Sequence, residues 1–222
     1  HDKGERPDGS PLRGEPFLLE PWQKFIIYNL LGFFHKGTII RRFKEAFIFL
    51  PRKNGKTRFV AALSWALALL ERKSGSTIYI VGAALRQAKQ SFDFIHFNLK
   101  NMGEADNFRI LNNNQESSIS GDLGDGSLHI EALAANPDKQ DSLNCNIAIA
   151  DELHAYKKAT QYNVIKEAMK AYTNKLMIGI TTAGDNMNSF CYNRLVYCQK
   201  ILDKTVTDEQ YFVFIAKADE DE

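Results

Sequence analysis

Two short groups of residues carry chemistry in this sequence, and they lie far apart along it. The first is Gly55-Lys56-Thr57, which ends the run Leu50-Pro51-Arg52-Lys53-Asn54. The second is Asp151-Glu152, which ends the apolar run Asn146-Ile147-Ala148-Ile149-Ala150. A glycine, an ammonium and a hydroxyl in that order suit a phosphate group. Gly55 lets the backbone approach the oxygens, Lys56 reaches the β and γ oxygens, and the Thr57 hydroxyl can ligate Mg²⁺. A helix opening at this point would favour the anion further. Two adjacent carboxylates at the carboxyl end of a buried strand can divide the remaining work, Asp151 holding the Mg²⁺ shell and Glu152 orienting and deprotonating an attacking water.

Each group also has a plainer reading. Gly-Lys-Thr occurs in surface turns, and Leu50 stands where the Walker A pattern has its first glycine. Asp-Glu pairs are common where a helix begins. Arg52 and Lys53 can point into solvent, as most cations do; a guanidinium fork, however, suits a γ-phosphate better than an ammonium does, which makes Arg52 the candidate for a phosphate contact in cis. A third group, Thr181-Thr182-Ala183-Gly184, follows the apolar run Lys175–Ile180. Its hydroxyls could sense the γ-phosphate or its water, or could simply form a strand-to-loop turn. The conjunction carries the inference: a phosphate loop followed, with room for an intervening strand and hairpin, by a carboxylate pair reads as Walker A and Walker B.

Apolar periodicity supplies the elements that must position these groups. Helical spacing covers Pro21–Phe34 and ends near Gly37. Strand-like and helical runs then alternate: Ala46–Leu50, Lys56–Glu71, Thr77–Val81 and Ala84–Leu99. After an interruption they continue as Ile147–Ala150, Ala159–Tyr172, Lys175–Thr181, Ser189–Leu202 and Tyr211–Ile215. Such alternation predicts an α/β fold, with five or six parallel strands and helices on both faces. The interruption, Phe108–Ala134, has two alternating stretches joined by Gly121-Asp122-Leu123-Gly124-Asp125-Gly126, the pattern of a β-hairpin inserted at a sheet edge. No internal repeat or low-complexity tract interrupts this order.

Composition narrows the class. With 222 residues, 44% hydrophobic, 25% charged and a formal charge of +1, the chain suits one α/β domain, and any nucleic-acid contact must come from local patches. Cys145, Cys191 and Cys198 form no CxxC pair, and the histidines show no zinc spacing, which fits a reducing compartment. No apolar run reaches the roughly 18 residues needed to cross a bilayer, and the start lacks a signal-peptide h-region. Residues 1–15 are Gly- and Pro-rich and polar, a flexible lead-in by composition. The expected domain spans residues 16–218, and the acidic run 219–222 reads as the start of a solvated linker in a fragment of a longer protein.

Taken together, these residues resemble the large terminase subunit of tailed bacteriophages, in the branch whose phosphate loop reads Arg-Lys-Asn-Gly-Lys-Ser/Thr. The resemblance covers Leu19-Glu20-Pro21-Trp22-Gln23, similar to that family's adenine-binding Gln motif, then Pro51–Thr57 and Arg86-Gln87-Ala88. It continues through Ile149-Ala150-Asp151-Glu152-Leu153-His154-Ala155 and Thr181-Thr182-Ala183-Gly184, similar to the coupling motif. It implies a RecA-like P-loop NTPase with a deviant Walker A loop, so Leu50 in place of glycine ceases to count against the reading. The implied roles are Gln23 on the adenine edge, the loop residues Arg52, Lys53, Asn54, Gly55, Lys56 and Thr57 on phosphate, and Thr57 and Asp151 on Mg²⁺. Glu152 and Arg52 would act in catalysis, while Thr181, Thr182 and Gly184 would couple ATP hydrolysis to movement of double-stranded DNA. The implied partners are a portal protein, a small terminase subunit and further copies in a ring, in the host cytoplasm.

Members of that family often carry an Arg before the Walker B strand that acts on a neighbour's ATP. Here Pro137–Asn144 offers only Lys139, which leaves Arg86 and Arg52 as rivals. The family's RNase H-like nuclease half has no counterpart in this sequence, so no nuclease activity is expected of it. A superfamily 2 helicase or restriction-type translocase shares the Gln, the Gly-Lys-Thr loop and Asp-Glu, but would need a second RecA-like domain and its Arg-rich motif.

Overall fold

The runs of β-branched and aromatic residues pair as strands, and the longer amphipathic runs fold as helices over them. The computed structural model describes residues 1–136 and 143–217. Among these, the strands are β1 (Glu45–Phe49), β2 (Ser76–Gly82), β3 (Arg109–Asn112), β4 (Ser117–Asp122), β5 (Ser127–Ala134), β6 (Ile147–Asp151), β7 (Leu176–Thr181) and β8 (Tyr211–Ile215). The α-helices are α1 (Pro21–Gly32), α2 (Lys56–Glu71), α3 (Leu85–Asn101), α4 (Ala159–Glu167) and α5 (Phe190–Leu202). The strands form one sheet in the order β3-β4-β5-β2-β6-β7-β1-β8. Neighbours from β5 to β8 are parallel, whereas β3-β4 and β4-β5 are antiparallel.

Side chains of a strand alternate between its two faces, and here both faces are apolar, as a parallel sheet covered on both sides requires. On one face Ile48, Ile80, Ile149 and Ile178 pack with α1, α2 and α3, through Ile26, Phe59 and Phe92 among others. On the other, Phe47, Val81, Ala148 and Met177 pack with α4 and α5, through Tyr162, Ile165 and Cys198. Register places Asp151 of β6 opposite Gly82 of β2 and Ile180 of β7, and Thr181 of β7 opposite Phe49 of β1. The Leu50 N–H donates to the Thr181 carbonyl at 3.0 Å. The carboxyl ends of β1, β6 and β7 therefore open on one edge, where α/β sheets bind ligands.

The architecture is the α/β one expected, with three local differences. Helix α1 stops at Gly32, because Phe33 turns extended and Phe34 bridges to Arg41 instead of continuing the helix. Helix α4 stops at Glu167, and the residues after it carry three-residue turns that leave Met169 buried without continuing the helix. The edge excursion is a meander of three strands: β4 and β5 form the expected hairpin over Gly121–Gly126, and β3 adds a further strand. Residues 1–15 carry an antiparallel bridge between Glu5 and Pro11, and Arg58 of α2 donates to the Lys3 carbonyl and pairs with Asp2 at 3.6 Å. Lys139 and the acidic run 219–222 lie outside the described residues.

Candidate active site

The phosphate-loop residues join β1 to α2, and the backbone there needs glycine at its last position. Gly55 caps α2 at φ 68°, in the left-handed region that a side chain disfavours. Lys56 and Thr57 open the helix behind it and line the cleft, where the first N–H groups of a helix have no partner within it. Lys56 is only 7% exposed. Its ammonium lies 2.7 Å from Asp151 Oδ1 and 2.6 Å from Glu152 Oε1. Glu152 reaches the same lysine as its neighbour because its backbone turns left-handed, at φ 55°, and its N–H donates to Asp151 Oδ1 at 2.9 Å. That conformation costs a non-glycine residue about 1 kcal/mol, so the surrounding contacts must hold it.

These side chains line a cleft of about 560 Å³ at the carboxyl edge of the sheet, together with Arg52, Thr57, Gln87 and Thr182. Burial pushes the Asp151 carboxyl above the usual carboxylate range, and the adjacent Lys56 charge opposes that push. Thr57 and Asp151 bring a hydroxyl and a carboxylate to this cleft, hard oxygen donors that fit Mg²⁺. Among the described residues no three His, Cys, Asp or Glu side chains gather as a cage. A donor set of two protein groups suits Mg²⁺, which usually completes its shell with water and substrate phosphates.

Gln23 sits at the start of α1 and is 2% exposed, not the surface residue that its position beside Trp22 would suggest. Its Oε1 accepts from the Glu20 N–H at 2.9 Å, so it caps the helix. The residue also lines a second cleft, of about 750 Å³, with Trp22, Arg6, Asn54, Gly55 and Arg58. The last three line the phosphate cleft as well, so the two spaces adjoin across the loop. Trp22 is held there by edge contact with Phe59 and stacking on Phe214.

The remaining loop residues Arg52, Lys53 and Asn54 are exposed on the rim. The Asn54 side-chain amide is within hydrogen-bond distance of the Pro51 and Arg52 carbonyls, at 3.2 and 3.3 Å, which braces the loop. Arg52 and Lys53 line the cleft, whereas Arg86 is exposed at the start of α3, and the lining passes through Gln87 and Gln90 instead.

Of the third group, Thr181 and Thr182 are buried and Gly184 lies over His154, whose Cβ would stand 3.0 Å from a Cβ added there. The Thr181 hydroxyl accepts from the His154 N–H at 3.0 Å, and the His154 ring Nδ1 is 3.1 Å from the same oxygen. That nitrogen is also 3.2 Å from Glu152 Oε2. Sequence reasoning assigned no role to His154 or Arg58. Thr181 meets His154, and Asp2 and Lys3 meet Arg58, only through the fold, while Glu152 is a local neighbour of His154.

The profile of the terminase large subunit ATPase domain matches residues 21–200. Among solved structures, the HK97 bacteriophage large terminase superposes with a TM-score of 0.76 at 21% identity, covering 94% of this chain and 41% of that one. The large terminase ATPase domain of Thermus phage P74-26 gives 0.56 at 16% identity, over 90% of this chain and 86% of that one. The large terminase of another thermophilic bacteriophage, solved in complex with ADP, gives 0.60 at 12% identity, over 87% and 44%. At such identities the structural likeness speaks for the fold, a RecA-like P-loop one, and the chain spans 41% of the length of the HK97 protein. No curated protein matches the sequence. The family profile runs from α1 into α5 and encloses Gln23, Lys56, Asp151, Glu152 and Thr181, so the chain belongs to the terminase large subunit ATPase-domain family.

Proposed function

We propose that this chain binds ATP with Mg²⁺ in the cleft between α2 and the ends of β6 and β7, hydrolyses it, and uses the energy to move double-stranded viral DNA into a procapsid. The observation that carries the reading is the placement of one buried ammonium, that of Lys56, within 2.7 Å of both Asp151 and Glu152 at the carboxyl edge of a parallel sheet. Phosphoryl transfer asks little covalent chemistry of a protein; it asks for positioning and charge. Lys56 and the N–H groups at the start of α2 would hold the β- and γ-phosphates, and Arg52 on the rim would reach the γ-phosphate. Thr57 and Asp151 would hold Mg²⁺, which would neutralise the charge that develops on the phosphate. Glu152 would take the proton of the attacking water, and Gln23 would read the adenine edge.

In the whole protein, Thr181, Thr182 and Gly184 would pass the state of the phosphate to the DNA-moving surface, with a portal protein, a small terminase subunit and further copies of the chain as partners in the host cytoplasm. The test is a pair of variants. Glu152→Gln should keep ATP affinity near that of the parent and lower turnover by roughly two orders of magnitude or more, the scale of losing a general base. Lys56→Ala should weaken ATP binding itself, read by titration calorimetry. Parent-like hydrolysis by both variants would remove the proposed site.

A further inference from the structure

Glu152 is held unevenly. Its Oε1 pairs with Lys56, while Oε2 is buried and lacks a hydrogen bond of good geometry, although His154 Nδ1 lies only 3.2 Å away. The same ring nitrogen is 3.1 Å from the Thr181 hydroxyl. One N–H cannot serve two acceptors well, so the imidazole stands at a fork between the carboxylate that would activate water and the strand end that would report it. The fork is tightly built. The His154 backbone N–H is anchored on Thr181 Oγ1, that hydroxyl donates to the Thr182 carbonyl at 3.0 Å, and Gly184 packs close on His154, where an added Cβ would stand 3.0 Å from the His154 Cβ.

We infer that His154 is a positioning residue that exchanges Thr181 for Glu152 as its side-chain partner when a terminal phosphate draws Lys56 away, thereby orienting Glu152 and releasing the Thr181–Gly184 segment in one move. This rests on the proposed ATPase reading of the cleft. The driving force is electrostatic. A γ-phosphate competes with Glu152 for the Lys56 ammonium. The half-buried carboxylate, whose Oε2 is shielded from solvent, then needs another donor, because an unpaired buried oxygen is costly, and His154 Nδ1–H is the donor within reach. Two discrete pairings of one ring are the kind of bistable element through which a local charge change moves a segment.

The experiment compares the chain with His154→Ala, His154→Asn, Thr181→Val and the His154→Ala/Thr181→Val double variant. For each, kcat and KM are measured at one protein concentration where the parent turns over measurably, alongside ATP affinity and thermal melting. His154→Ala should lower kcat roughly 10- to 100-fold, the scale of a misplaced catalytic group, while ATP affinity and melting stay at parent values. His154→Asn, which presents an amide N–H near the position of Nδ1, should recover part of that loss. The double variant should be no slower than the slower single one, because residues acting as a unit lose their effect together.

Parent-like kcat in His154→Ala would overturn the inference. So would losses that multiply in the double variant, or a fall in ATP affinity or melting temperature that accompanies the loss of turnover. Glu152→Gln in parallel separates the two levels. If it is silent, the ATPase reading itself fails; if it is inactive while His154→Ala is normal, only the role of His154 does.

Discussion

The Gln23 side-chain amide has its oxygen engaged within its own helix. Its oxygen caps α1 by accepting from the Glu20 N–H, as Gln87 does for Ala84 of α3 and Gln161 for Lys158 of α4. A glutamine at the third helical position is thus a recurrent capping device of this chain. Unlike the other two, Gln23 is nearly fully buried beside an open cleft, where on the proposed reading its NH₂ would meet a base edge. Gln23→Ala should therefore narrow the preference for ATP over GTP, since an unpaired polar group in a recognition site is what rejects the wrong base, at about 1–3 kcal/mol per group. Gln23→Glu separates the two jobs, because it keeps the capping oxygen and loses the NH₂ donor. Hydrolysis of ATP and GTP measured side by side checks this, and an unchanged ratio in both variants would leave Gln23 as a helix cap alone.

At the scale of elements, β1 carries the phosphate loop at one end and is pinned at the other by a buried carboxylate. Glu45 accepts from the Tyr162 hydroxyl at 2.8 Å, pairs with Lys166, and lies 3.5 Å from Arg194. The Arg194 guanidinium in turn stands over the rings of Tyr162, Phe190 and Tyr211. One side chain thus ties β1 to both helices of that face. Glu45→Ala strands these groups and should cost about 3 kcal/mol, the scale for breaking a buried pair. Urea unfolding should show a lower midpoint with the slope kept. Since Glu45 is at the opposite end of β1 from Lys56, ATP affinity of the folded variant should match the parent. Tyr162→Phe removes one hydrogen bond and should cost about 1 kcal/mol.

For the whole molecule, a cation reaching the open side of the cleft would set the rate of the proposed hydrolysis. Arg52 and Arg58 both bring guanidiniums to its lining, while Arg86 is exposed at the start of α3. An arginine supplied from outside contributes about 10³- to 10⁵-fold to such reactions. If a neighbouring copy completes the site, specific ATPase activity should rise faster than linearly with protein concentration, in step with association seen by light scattering. Full turnover in a proven monomer would place the cation in cis, and loss of that turnover in Arg52→Ala but not in Arg58→Ala would assign it to Arg52. Mixing the variants distinguishes the rivals further. Arg86→Ala mixed with Lys56→Ala should regain activity if Arg86 acts on a neighbour, whereas Arg52→Ala mixed with Lys56→Ala should regain none if Arg52 serves its own site.

Much of the fold was legible locally, because apolar periodicity and strand-ending polar groups are properties of short stretches. Helix α2 covers the residues its spacing predicts, Lys56–Glu71, and β8 is the predicted Tyr211–Ile215. The α/β class follows from alternation, and because ligands gather at the carboxyl ends of parallel strands, the loop after β1 and the acidic pair ending β6 are expected on one edge from sequence. What only the tertiary structure decided rests on contacts between residues distant in sequence. Strand order places β5 beside β2, and β3 extends the meander because its partner β4 is there to complete its hydrogen bonds. Likewise the left-handed turn of Glu152, the cleft beside Gln23 and the fork at His154 depend on Lys56, on Asn54 and Arg58, and on Thr181 arriving from other elements. No local pattern encodes such meetings, because their energy exists only once the sheet has brought the partners together.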